Sequence, residues 1–160
     1  MASAVTTATS RWSARDLARL RGQSFGALVM LIIQFAIGVV VNLYATVPAA
    51  DRGSGFFGAL GKALSKGPAS LATHTVVGLL IVLAALALLV RSILVRHVPT
   101  IVLSVLGLLS IIAAVANGIR FVSDGGPANA SLAMALATAV GMLCYAISLF
   151  VLSNTRSSAG

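Results

Sequence analysis

The sequence predicts an all-α fold, namely an integral membrane antiparallel four-helix bundle with short interfacial helices. Of its 160 residues, 59% are hydrophobic and only 9% are charged, and the mean hydropathy is +1.05. A small soluble core cannot bury that much apolar surface. The chain also contains four apolar runs of about 20 residues, the length that crosses a bilayer as a helix. Lipid-exposed sheets would leave backbone groups without hydrogen bonds, so helices are expected.

The four predicted spans are separated by segments that contain proline, a residue that is difficult to place inside a helix. The spans cover residues 25–47, 70–95, 99–122 and 130–152, with a longer outer loop at 48–69. The sequence therefore divides into three parts. These are a basic N-terminal segment (1–24), a transmembrane domain (25–152) and a short tail (153–160).

Basic residues are distributed unevenly over the two sides of the predicted bundle, and the net charge is +8. One side carries seven arginines: Arg11, Arg15, Arg19, Arg21, Arg91, Arg96 and Arg156. The other side carries Arg52, Lys62, Lys66 and Arg120. Because Lys and Arg accumulate on the cytoplasmic side, both termini are predicted in the cytoplasm of a bacterial plasma membrane. Charges at span ends favour anionic lipids, not nucleic acid, as partners.

Two segments beside the spans have amphipathic patterns. In SRWSARDLARLRG (10–22), apolar residues alternate with arginines, which predicts a basic helix on the cytoplasmic headgroups; a partly disordered tail is the alternative. In GFFGALGKALSKG (55–67), an apolar stripe lies opposite Lys62 and Lys66, which predicts a short surface helix over the outer end of the bundle. An ordinary surface loop is the alternative there.

Polar side chains inside the predicted spans fall at one depth near the outer side. Given a rise of about 1.5 Å per residue, Asn42, His74 and Asn117 lie about a turn and a half below the outer surface. Met134 lies at the same level in the fourth span. Gln34 shares a helix face with Asn42, and Arg120 lies at the mouth. The predicted polar layer consists of Gln34, Asn42, His74, Asn117 and Arg120.

Three interpretations of this layer remain open. The polar side chains can hold the helices together, with an Arg120–Asp124 pair above them and about 0.6 kcal/mol for each contact. Alternatively, His74 binds a b-type haem, with Met134 as a possible sixth ligand. In the third interpretation, His74 belongs to a proton or small-ligand transport site beneath the outer loop.

Other chemistry receives little support from the sequence. Cys144 is the single cysteine, so no disulfide can form within the chain. No nucleotide-binding, hydrolase or kinase motif is present. Ser104 and Ser148 are expected to hydrogen-bond to their own helices. Catalytic residues and a metal-binding cluster are therefore not predicted.

Three stretches carry a resemblance to known membrane proteins: LIIQFAIGVVVNLYATVP, LATHTVVGLLIVLAALALLVRSI and VANGIRFV. They resemble small four-span proteins of unknown function from actinobacteria, over residues 25–152. The histidine that opens an apolar helix is also distantly similar to the haem-carrying bundles of the cytochrome b561 and haem A synthase type. Those bundles place a second histidine on another span, where this chain offers Met134.

The sequence therefore favours a non-enzymatic membrane protein. The leading hypothesis is a small scaffold or accessory subunit that associates with itself or with a larger membrane complex. Haem binding at His74 is the second hypothesis, and transport is the third.

Overall fold

The structure, a computed structural model, describes residues 12–44, 55–65 and 69–157. Within them lie five helices and no strand: α1 (Ala14–Tyr44), α2 (Phe56–Ser65), α3 (Ala69–Val95), α4 (Val98–Ser123) and α5 (Ala128–Ser157). Four of the helices are long and apolar enough to cross a membrane, namely α1, α3, α4 and α5. The predicted all-α, multi-pass membrane fold is therefore confirmed.

The four long helices form a closed ring in which each helix packs against two others. Around the ring the order is α1, α3, α4 and α5, and the α4–α5 interface is the most extensive. Short connections make α3 antiparallel to α4 and α4 antiparallel to α5. We call the end that holds Tyr44, Ala69 and Ala128 the distal end, and the opposite end the proximal end. The predicted surface helix corresponds to α2, which packs against α3 and α4.

Two boundaries differ from the sequence-based prediction. Residues 14–24 do not form a separate interfacial segment, because α1 is one helix of 31 residues that includes them. Leu20 and Ser24 have no exposed surface and belong to the bundle interior, which explains why the helix continues through the arginine-rich region. At the other end, α5 continues to Ser157 instead of ending at residue 152. Residues 1–11 and 158–160 lie outside the described residues.

The proximal half of the bundle is closely packed and contains two buried serine pairs. The Ser24 and Ser148 hydroxyl oxygens are 3.2 Å apart between α1 and α5, and those of Ser92 and Ser104 are 3.3 Å apart between α3 and α4. Each long helix therefore contributes one buried serine to a contact with a neighbour. Ser104 and Ser148 were expected to hydrogen-bond to their own helices, and the structure places each hydroxyl opposite another hydroxyl across an interface.

The turn between α3 and α4 is short and its backbone groups are satisfied. Arg96 adopts the left-handed conformation with φ of 58°, and the His97 amide donates to the Ser92 carbonyl. This pattern is a Schellman motif, which ends a helix. His97 then caps α4, since its side chain accepts a hydrogen bond from the Thr100 amide at 3.4 Å. The sequence reading placed a turn here but gave His97 no role.

His97 is almost completely buried, and this predicts a pH-dependent stability. Its imidazole is 1% exposed, and its centroid lies 4.8 Å from that of the Trp12 ring in an edge-on arrangement. Burial lowers the pKa of His97 below its ordinary value of about 6.5. Between the two pKa values the unfolded chain binds more protons, so stability should fall as the pH drops below about 6.5.

Thermal unfolding in detergent at a series of pH values tests this expectation. His97→Asn keeps an acceptor for the helix cap but cannot titrate in this range. The variant should therefore lose part of the decrease in melting temperature that the wild type shows in acid. An identical pH profile for both proteins would contradict the assignment.

Candidate functional site

A hydrogen-bonded pair between α1 and α3 defines the candidate site. The Gln34 side-chain amide donates to the His74 backbone carbonyl over 2.9 Å, and its Nε2 lies 3.1 Å from the His74 Nε2. An amide nitrogen has two hydrogens and no lone pair to offer, so the second hydrogen points to the imidazole. With the amide in this orientation, the His74 Nε2 is the acceptor of the contact.

Two glycines make room for this pair in a reciprocal manner. A Cβ atom added to Gly38 would lie 3.0 Å from the His74 Cε1, and one added to Gly78 would lie 3.1 Å from the Gln34 Nε2. Each helix therefore carries a polar side chain and, four residues later, the glycine that receives the polar side chain of its neighbour. We call these four residues the Gln34–His74 clamp: Gln34, Gly38, His74 and Gly78.

The clamp leaves two of its polar atoms without a partner. The Gln34 Oε1 and the His74 Nδ1 are both buried and have no hydrogen bond in the described part of the chain. Such a group costs about 1–3 kcal/mol when it is removed from water. The clamp is therefore held by one well-made contact to the backbone and one to the ring, and by close packing on the glycines.

The predicted polar layer is only partly assembled. Asn117 donates to the Ala113 carbonyl of its own helix at 2.8 Å, and Asn42 is exposed at the rim of the bundle. Of the predicted layer, the structure brings Gln34, not either asparagine, beside the imidazole. The Arg120–Asp124 pair does form, at 3.4 Å, on an exposed part of α4.

A cavity of about 600 Å³ occupies the distal half of the bundle next to the clamp. All four long helices line it, and α2 contributes Leu60. Most of the lining side chains are apolar; the polar ones are Gln34, Asn42, His74, Thr75, Ser131 and Thr138. Among the described residues, no charged side chain lines the cavity. This volume is typical of sites that bind small molecules, which lie at about 300–1,000 Å³.

The deeper hydroxyl groups of the cavity wall are already satisfied. Thr75 donates to the Leu71 carbonyl at 2.9 Å, and Thr138 donates to the Met134 carbonyl at 2.8 Å. Back-bonding of this kind is the usual way in which a hydroxyl is accommodated within a membrane helix. The inner wall consequently presents mainly hydrocarbon to whatever fills the cavity.

His74 and Met134 are the two candidate axial ligands for a haem. His74 and Met134 both line the cavity. However, the acceptor nitrogen of His74 already faces Gln34, its Cε1 edge packs on Gly38, and the Met134 sulfur lies near Gly118. An iron ligand needs that lone pair directed at the metal. The His74 ring therefore does not fit haem ligation in this arrangement, and haem binding stays a prediction.

Several features of the site were not recognised from the sequence. Ala135, a small residue that lines the cavity, is not assigned a role by the sequence. The contact of Gly118 with the Met134 sulfur is also not predicted by the sequence. The sequence signal for the clamp is a glycine that follows a polar residue by four positions, on each of two neighbouring spans. That spacing indicates one helix face but not the partner opposite it.

Comparisons with known proteins do not add a relative to this picture. No protein-family model matches the chain, and no curated protein or solved structure matches it. The clamp and the cavity are therefore the features from which a function can be inferred.

Proposed function

We propose that this multi-pass membrane protein is a binding protein that holds a neutral, mainly apolar molecule in its distal cavity. The single observation that supports the proposal is the cavity of about 600 Å³, whose described lining contains no charged side chain. A charged ligand would lose its hydration there without gaining an opposite charge. An apolar ligand gains favourable burial along the inner wall.

Native mass spectrometry of the detergent-purified protein tests the binding function. We expect the wild type to keep a bound molecule after the detergent is removed, and Ala114→Phe to lose it because the phenyl ring fills the cavity. Ala113→Phe is the matched control, since Ala113 is the exposed neighbour on the same helix. Absence of a bound molecule in the wild type, or its retention in Ala114→Phe, would contradict the proposal.

The orientation in the membrane forms part of the proposal. We infer that the proximal end faces the cytoplasm of a bacterial plasma membrane and that both termini are cytoplasmic. In support, the described arginines near the proximal end include Arg15, Arg19, Arg21, Arg91 and Arg96, whereas the distal end has Lys62 and Arg120. The same arginines would attract anionic headgroups.

A pair of C-terminal fusions tests the orientation. Green fluorescent protein should fluoresce at this terminus, and alkaline phosphatase should be inactive there, because each reporter folds on one side of the membrane only. Active phosphatase would contradict a cytoplasmic C-terminus.

The sequence-based hypotheses of a scaffold, a haem protein and a transport protein remain predictions beside the binding function. A scaffold or accessory subunit should co-purify with a stoichiometric membrane partner or as a homo-oligomer. A haem protein should show a Soret band that is lost in His74→Ala. A colourless protein after expression with ample haem would retire the haem hypothesis, whereas the binding proposal does not depend on it.

A further inference from the structure

The dimensions of the cavity suggest what occupies it. Its lining on α1 extends from Leu43 to Leu31, which is about 18 Å along the helix at about 1.5 Å per residue. On α5 the lining extends from Ala128 to Thr138, which is a similar distance. The hydrocarbon core of a bilayer is about 30 Å thick. The cavity is therefore about as deep as one leaflet, and it begins at the distal surface.

The cavity is continuous with the lipid-facing surface of the bundle. Its lining includes side chains on the perimeter that are largely exposed, among them Leu43 (66%), Leu132 (61%) and Val39 (44%). In a bilayer these side chains contact acyl chains. At the distal end, α2 packs on α3 and α4 and places Leu60 in the lining. The cavity is therefore open sideways toward the surrounding leaflet.

Polarity changes along the length of the cavity. Asn42 and Ser131 lie near the distal rim, whereas Leu31, Ile81 and Ile111 form the deep end. The hydroxyl of Thr138, also deep, is bonded within α5. Between these two ends, Gln34 and His74 of the clamp line the wall with one unpartnered polar atom each. The rim can accept or donate hydrogen bonds, whereas the three aliphatic side chains at the deepest point offer only dispersion contacts. A molecule with one polar end and one apolar end matches this gradient in a single orientation.

We propose that the ligand is an acyl chain of a lipid in the distal leaflet, which enters sideways with its tail toward Ile111 and its ester region at Asn42 and Ser131. This inference rests on the proposed binding function and names the class of ligand. The lipid stays anchored in its leaflet by its headgroup, so binding does not require the polar group to cross the hydrocarbon core.

Photo-crosslinking in phosphatidylcholine vesicles tests the proposal. The probe is a phosphatidylcholine whose acyl chain carries a diazirine either at its terminal end or close to the ester. The terminal diazirine should label peptides that contain Leu31 or Ile111, and the diazirine near the ester should label those that contain Asn42 or Ser131. Ala114→Phe should lose the deep labelling but keep labelling at Leu109, which is exposed on the perimeter.

A second pair of variants keeps the test valid if Ala114→Phe does not fold. Ala135 lines the cavity and Ala139 is exposed on the same helix. Ala135→Leu should therefore reduce deep labelling, and Ala139→Leu should not. Deep labelling that is absent in the wild type, unchanged in both cavity variants or reversed along the chain would overturn the lipid assignment. If a cavity-dependent molecule is still retained in native mass spectrometry, the binding function stands and only its ligand class is wrong.

Discussion

Replacement of Gly107 by alanine is expected to destabilise the bundle by about 1–3 kcal/mol, the usual cost of overpacking a filled core. A Cβ atom at this position would lie 2.8 Å from the Tyr145 Cζ and 2.9 Å from its hydroxyl oxygen. The Tyr145 side chain has no exposed surface, so its ring cannot move outward to relieve the overlap. The clash would separate α4 from α5, which share the most extensive interface of the bundle.

An unfolding titration with sodium dodecyl sulfate, followed by circular dichroism, measures this loss. Gly26→Ala is the matched control, because no atom beyond its own helix lies within 4 Å of a Cβ at that position. There alanine should be neutral or slightly stabilising, since glycine costs about 0.5–1 kcal/mol in a helix. Equal effects at both positions would show that helix propensity, not interhelical contact, governs the response.

The tyrosine side of the contact gives an independent check. The Tyr145 hydroxyl is buried and has no hydrogen-bond partner among the described residues. Tyr145→Phe should therefore cause little or no loss of stability. Gly107→Ala should cost less in a Tyr145→Leu background than in the wild type, because the smaller side chain vacates the space that the new methyl group needs.

The fold could be predicted because it depends on quantities that the sequence carries directly. The lengths of the apolar runs and the prolines between them determine the number of helices and their antiparallel order. The positions at which the helices begin and end could not be predicted as well. The sequence predicts a separate interfacial helix before residue 25, yet α1 continues through this region because Leu20 and Ser24 are buried against the other helices. Charge marks depth in the membrane, whereas helix length depends also on packing.

The candidate site could be predicted only in part, for a related reason. The helix faces with Gln34 and Gly38, and with His74 and Gly78, follow from spacing alone. Their register does not, because it depends on how far α1 and α3 slide past each other. Counting from the span ends placed Asn42 at the depth of His74, but Gln34, about two turns earlier on α1, lies beside the imidazole. The cavity volume could not be predicted from the sequence, because it depends on how every side chain around it packs.

Replacement of Gly38 by leucine is the second change for which we expect a large effect, again about 1–3 kcal/mol of lost stability. The first side-chain atom would already lie 3.0 Å from the His74 Cε1, and the remainder would displace the imidazole from Gln34. The Gln34 amide would then lose its contact with the ring within the membrane interior. Gly22→Leu is the control, because Gly22 has open space around it.

His74→Ala makes the same experiment a double-mutant cycle. Alone, it should cost about 1 kcal/mol, since it removes one interhelical hydrogen bond and the packing on Gly38. The Gln34 amide keeps its bond to the backbone carbonyl of residue 74, so α1 and α3 stay in register. In Gly38→Leu with His74→Ala, the leucine occupies the space that the imidazole leaves, and the loss should be smaller than the sum of the two single losses. If the two losses of stability were strictly additive, Gly38 and His74 would not pack on each other. The clamp would then not be the element that aligns the distal halves of α1 and α3.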